Sequence, residues 1–207
     1  TVGTILSNEE VEIRSEISGK ITNIYFKEGD KIKKGELLLK INDDELQARL
    51  LSAQSRKKLA EQQAERQRQL SEKKLISPED YEKFVNELNV IKAEVQLVQA
   101  QLDKTEIRTP FDGIIGLRYV SEGSYLSPST LITTFQDIGT VKLDFTFPEK
   151  YSGEIKPGNK ITFNVQGTSR KFTGTVYAIS PKVDPNTRTL RIRAICPNHD
   201  GYLLPGR

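Results

Sequence analysis

The sequence predicts an elongated α+β chain of several domains: a β-sandwich of two equivalent halves, an α-helical coiled-coil hairpin inserted between them, and a small antiparallel β-barrel after them. Three observations carry that prediction. A 29-residue stretch recurs without a gap at an offset of 94 positions. The insertion opens with a run, Asp44 to Lys73, that contains neither Gly nor Pro. Beyond Ile138, short runs of alternating apolar and polar residues follow one another at close spacing.

Composition agrees with an extended shape. At 207 residues and 36% hydrophobic, the chain is more polar than a compact enzyme of that length, though long enough to bury a core. A formal net charge of only +3 with 29% charged residues leaves no basic field and argues against nucleic acid as a partner. The lone Cys196 cannot form an intramolecular disulfide and falls in an alternating apolar run, where a small buried side chain is expected. There is no signal peptide, lipid-attachment cysteine or apolar run of roughly 18 residues, so nothing in the chain is expected to cross or anchor to a membrane. The absence of Met and the ending Leu203-Leu204-Pro205-Gly206-Arg207 read as a trimmed or processed chain whose targeting elements are missing.

The duplication aligns Ile13–Ile41 with Ile107–Phe135. Ile13/Ile107, Arg14/Arg108, Gly19/Gly113, Ile21/Ile115, Tyr25/Tyr119, Glu28/Glu122, Gly29/Gly123 and Leu37/Leu131 are identical. Chance pairing at ordinary composition gives about two matches over such a stretch. Each copy reads as short strands: Gly19 and Gly113 precede alternating apolar positions, and the Glu-Gly pairs sit where a turn with positive φ requires glycine. Two such halves predict a flattened sandwich with quasi-twofold symmetry.

These residues resemble the biotinyl and lipoyl carrier fold, with its Gly, its Glu-Gly-Asp turn and a segment like Lys34-Gly35-Glu36-Leu37-Leu38, over residues 11–43 and 106–138. In carriers of that fold a tight hairpin exposes a modifiable lysine. Here residues 42–105 replace it, and Asn42-Asp43-Asp44 stands where the lysine motif would begin. No prosthetic group is expected, and carrier function is a remote alternative.

The insertion, residues 44–105, predicts two antiparallel helices. Leu46, Leu50, Ala53, Ala60 and Ala64 form a thin apolar stripe on the first. The second starts at Ser77-Pro78-Glu79-Asp80, with serine as N-cap, proline at the first helical position and acids in the first turn. Tyr81, Phe84, Leu88, Ile91, Val95, Val98 and Leu102 then supply a coiled-coil seam. The acids Asp43 and Asp44 suit the start of the first helix better than a metal site.

Between the helices, Arg66 to Ser77 resembles the tip pattern of periplasmic adaptors of the membrane fusion family: an Arg, a Leu four residues on and a Ser seven further, here Arg66, Leu70 and Ser77. Singly, each has a plain explanation as an exposed cation, a hairpin-closing apolar residue and an N-cap. Together, at that spacing and place, they are assigned by the resemblance to contact with an outer-membrane channel of the TolC type. Arginine offers a planar fork of donors, and leucine a knob between partner helices.

Residues 139–207 predict the barrel. Val141, Leu143, Phe145 and Phe147 alternate, Pro148 opens a short helix stopped by Pro157-Gly158, and Ile161, Phe163 and Val165 resume the alternation. This segment resembles the barrel of adaptors serving proton-driven transporters of the resistance-nodulation-division class, through Val183-Asp184-Pro185-Asn186-Thr187-Arg188-Thr189 and Pro197-Asn198-His199-Asp200-Gly201. Residues 1–10 are assigned to a strand of a truncated membrane-proximal or barrel region. Where the family places Met after the final Pro-Gly stands Arg207, and the membrane-proximal domain is expected to be largely absent.

No constellation of catalytic, cofactor-binding or metal-ligating residues is visible, so no enzyme is expected: His199 is the single histidine, and no Ser-His-Asp set or Gly-rich phosphate loop occurs. The resemblance implies a periplasmic adaptor, associated with the inner membrane through parts absent from this chain. It would link a resistance-nodulation-division transporter to the outer-membrane channel and self-associate, six copies to a pump. An adaptor for an ATP-driven exporter or secretion system is the nearest alternative.

Overall fold

The duplication sets the architecture. The computed structural model describes residues 2–206; Thr1, at the head of the expected opening strand, and Arg207, noted above as standing where a Met was expected, lie outside the described residues. In chain order the elements are β1 (Gly3–Arg14), β2 (Gly19–Ile24), β3 (Lys31–Ile32), β4 (Leu37–Ile41), α1 (Asp44–Glu72), α2 (Pro78–Asp103), β5 (Glu106–Arg108), β6 (Gly113–Arg118), β7 (Tyr125–Leu126) and β8 (Leu131–Pro148). A 3₁₀ helix (Glu149–Glu154), β9 (Lys160–Asn164), β10 (Lys171–Asp184) and β11 (Thr189–Pro197) complete the chain.

Strands β2, β3 and β4 recur 94 positions later as β6, β7 and the start of β8, and the pairing exchanges partners between halves. Gly19 pairs with Leu126, and its repeat mate Gly113 pairs with Ile32. Ile21 pairs with Ile41 as Ile115 pairs with Phe135. One layer runs β5-β4-β2-β7; the other is part of a seven-stranded sheet ordered β3-β6-β8-β11-β10-β9, with β1 also on β8. Ile21, Leu38, Leu39, Ile115, Ile132 and Phe135 fill the space between the layers. A side chain at Gly19 would meet Ile41, and one at Gly113 would collide with the backbone carbonyl of Gln136, so both positions need glycine for close approach.

The identical polar residues brace one half against the other. Glu28 accepts from the Arg118 N–H at 2.8 Å and Glu122 from the Ile24 N–H at 2.9 Å. Arg14 donates to the Ser129 carbonyl at 2.6 Å and Arg108 to the Gly35 carbonyl at 2.9 Å. Each arginine is also paired with a glutamate two residues earlier, Glu12 and Glu106, which are themselves repeat mates.

β8 is an 18-residue strand that runs unbroken from the sandwich into the barrel. Its first part pairs with β6 and its second with β11, while β1 follows it along both, with a register shift between Ser7 and Glu9. The opening strand is therefore part of the barrel: Gly3–Ser7 pair with Phe145–Val141, and Ile5 is buried with Val141, Val176, Ile192, Ala194, Cys196 and Leu203. The expected short helix is 3₁₀ rather than α, spanning six residues before the Pro157-Gly158 turn, where Gly158 has φ +96°.

Candidate docking site at the hairpin tip

The hairpin leaves the sandwich where β4 and β5 end, and its root is pinned by charge. The Lys40 ammonium lies 2.7 Å from Asp43 and 3.1 Å from Glu106, and donates to the Thr105 hydroxyl at 3.2 Å. Burial works against the charged forms of Lys40 and Asp43. Their mutual hydrogen bond, with Glu106 on the lysine and Gln47 on the aspartate, outweighs it, raising the pKa of Lys40 and lowering that of Asp43. Asp43 is thus the N-cap residue of α1 by position, but its side chain holds Lys40 and Gln47 rather than the first-turn amides.

α1 spans 29 residues and α2 26, so the hairpin extends roughly 40 Å at 1.5 Å per residue. Ala53, Ala60 and Ala64 are the buried residues of α1, small enough for the bulkier seam of α2 to approach. Every seam residue from Tyr81 to Leu102 is half-buried or buried. Arg56 on α1 pairs with Glu94 on α2 across the hairpin. The opposite faces stay wet and leave Leu51, Leu59, Val90 and Leu97 at least 56% exposed.

At the tip, α1 ends at Glu72 and the chain turns through Lys74, a non-glycine residue with φ +55°. The Leu75 N–H bonds to the Leu70 carbonyl at 2.9 Å, closing the turn. Ser77 caps α2 as expected, accepting from the Asp80 N–H at 3.1 Å.

The three expected residues sit within one hairpin end but in different settings. Arg66 is exposed on the last turns of α1 and enters no ion pair among the described residues. Its neighbour Arg68 is held by Glu65 and Glu72, and hydrogen bonding from Arg68 and Gln69 brings the Glu65 carboxyl down to about 2. Leu70 is half-buried within the hairpin end, and Ser77 is exposed.

Sequence reasoning passed over the residues of the turn itself. Leu75 is 67% exposed, and Lys73 and Lys74 are exposed and free of ion pairs among the described residues. The Lys-Lys-Leu triplet between two helix signals marked them, since a leucine in a polar turn has no core to enter. The hairpin end therefore carries three cations that enter no ion pair among the described residues and one exposed leucine, chemistry suited to carboxylates or helix C-terminal carbonyls beside an apolar notch.

The barrel carries a second ordered loop. Asp184 accepts from the N–H groups of Asn186 at 2.9 Å and Thr187 at 3.2 Å, and these backbone bonds lower its pKa. With Arg188 at φ +50°, they shape the turn joining β10 to β11. Below it, the buried Asp144 is gripped by Arg191 at 2.8 Å and Arg193 at 3.1 Å. A shallow groove of about 550 Å³ runs between this loop and Thr146, Ser180 and Lys182. No helix among the described residues is long and apolar enough to cross a membrane.

Comparison with known proteins matches both parts of the chain. Residues 9–134 fit the family model described as RND MFP, barrel-sandwich hybrid domain, and residues 140–207 the model described as CusB-like, beta-barrel domain. The multidrug resistance protein MdtA of Cronobacter turicensis is 29% identical over all of this chain and 55% of its own length; MdtA of Escherichia coli is 28% identical over the same shares. The chain thus spans about half the length of these relatives. Among solved structures, a MacA–MexA chimera containing the Pseudomonas aeruginosa MexA α-hairpin domain superposes with a TM-score of 0.84 at 25% identity, over 99% of this chain and 76% of the chimera. A putative efflux transporter of Bacteroides eggerthii shares the fold, with a TM-score of 0.82 at 21% identity over 99% and 64%.

Proposed function

The chain belongs to the membrane fusion protein family by its barrel-sandwich hybrid domain, and on that premise we propose that it is the periplasmic adaptor of a tripartite drug-efflux pump. In this reading the barrel meets an inner-membrane transporter, copies of the chain assemble around an axis, six to a pump, and the hairpins reach an outer-membrane channel of the TolC type. The observation that carries it is the hairpin. A helical pair of this length with an alanine stripe, wet outer faces and, at its end, three cations that enter no ion pair among the described residues is built to span and to touch, not to enclose a core.

The sandwich supports the same reading from the other side. The site where a carrier would expose its lysine is the root of the hairpin, fixed by the Lys40–Asp43–Glu106 cluster, so the fold serves as a mount. The relatives named for multidrug resistance favour small amphiphilic drugs as cargo, moved by the transporter. A proton-driven transporter of the resistance-nodulation-division class is favoured over an ATP-driven one by the Thr187-Arg188-Thr189 loop and by the description of the matching family model.

The test is export by the full-length protein in cells deleted for the native adaptor. Arg66→Asp and Leu70→Ser should each abolish drug resistance while helical content by circular dichroism is unchanged. Undiminished resistance in both would refute docking through the tip. Co-purification of an ATP-binding transporter instead of a proton-driven one would reassign the inner-membrane partner.

A further inference from the structure

Eight positions are identical between the two copies, and 21 of the 29 have diverged. The structure shows why seven of the eight pairs have stayed. Ile13 and Ile107, and Ile21 and Ile115, pack in the sandwich core. Gly19 and Gly113 allow close approach, and Gly29 and Gly123 hold φ near +80°. Arg14, Arg108, Glu28 and Glu122 brace the opposite half, and Leu37 and Leu131 lie half-buried opposite those arginines in the ladders.

The eighth pair has no such work. Tyr25 is 56% and Tyr119 59% exposed. Among the described residues neither hydroxyl has a hydrogen-bond partner, and neither ring has an aromatic or cationic neighbour. The backbones on both sides are equivalent, with the Tyr25 N–H on the Leu38 carbonyl and the Tyr119 N–H on the Ile132 carbonyl. The sandwich therefore displays the same large, rigid, amphipathic side chain twice, at positions exchanged by its pseudo-twofold axis.

We propose that Tyr25 and Tyr119 form the contact between neighbouring copies of this chain, Tyr25 of one sandwich packing on the Tyr119 surface of the next. A single foreign partner seated on one half would use one tyrosine and leave its mate free to diverge. A head-to-tail array of copies uses both in every molecule, one toward each neighbour. The surroundings favour unlike halves meeting: Leu117, 64% exposed, stands two residues before Tyr119, where the first half has Asn23, so the second half offers the broader apolar seat. Tyrosine suits such a seat because it brings large contact area with only two side-chain torsions to fix.

The inference rests on the self-association in the proposed function but not on the hairpin tip. It is tested by mixing full chains carrying Tyr25→Cys with chains carrying Tyr119→Cys and adding a short bis-maleimide linker; the native Cys196 is buried. The mixture should give covalent dimer, the double variant a ladder of higher species, and either variant alone about ten-fold less. Equal yield in the mixture and in the single variants overturns the pairing. In parallel, the folded Tyr25→Ala/Tyr119→Ala double variant should associate about ten-fold more weakly by sedimentation. Association as strong as that of the unaltered chain overturns the contact while leaving self-association standing. An unaltered chain that stays monomeric at every concentration overturns both.

Discussion

Ser129 stands at the repeat position of Gly35, and both hold left-handed backbone, φ +70° and φ +81°. Serine bears the steric cost of that conformation and glycine does not, whereas glycine loses more freedom on folding. Ser129→Gly should therefore stabilise the chain by about 0.5 kcal/mol, and Gly35→Ser should destabilise it by about 1 kcal/mol, read as opposite shifts of the urea midpoint at constant slope. No atom lies within 4 Å of a side chain added at Gly35, so that loss would be backbone strain alone. Residue roles of this kind were only half legible. Positive φ at the Glu-Gly turns follows from glycine itself. The service of Glu28 to Arg118, 90 positions away, leaves no local trace, because the pairing that brings them together is set by the opposite half. Only the identity of Glu28 with Glu122 marked it.

At the scale of elements, the helices were the most legible part, because their signals are local. The run without Gly or Pro and the Ser-Pro-Glu-Asp start bound α1 and α2 closely. The long β8 was hidden, since an alternating pattern says nothing of which strands lie beside it, and its 18 residues draw on partners from both domains. Ser77 is where structural and functional roles overlap. Its hydroxyl oxygen caps α2, so Ser77→Ala should lower hairpin stability by about 1 kcal/mol, and Ser77→Thr should restore most of it because its hydroxyl accepts the same Asp80 N–H and still donates to the Asp80 carboxylate. The capping role is measured by the thermal unfolding of the helical circular dichroism signal. If Ser77 also touches the channel, where its small side chain permits close approach, Ser77→Thr should keep the helix and still lose export. Export recovered in step with helicity would leave it a cap alone.

At the scale of the molecule, the insertion has the geometry of a detachable part. The Ile41 N–H bonds to the Thr105 carbonyl at 2.9 Å, so the strands on either side of the hairpin are already joined before the helices begin. Replacing residues 43–104 with one glycine would leave Asn42-Gly between paired Ile41 and Thr105, the two-residue turn that antiparallel strands accept most readily. The sandwich core contains no residue of α1 or α2, and Lys40 would keep Glu106 as a partner. The shortened chain should lose the helical circular dichroism band, retain its strand signal and unfold cooperatively. Carrying Tyr25→Cys or Tyr119→Cys, it should also give the same bis-maleimide cross-link in the mixture, while losing all contact with the outer-membrane channel. A shortened chain that fails to fold would mean that the hairpin stabilises the sandwich it stands on, and the division between mount and spacer would fall with it.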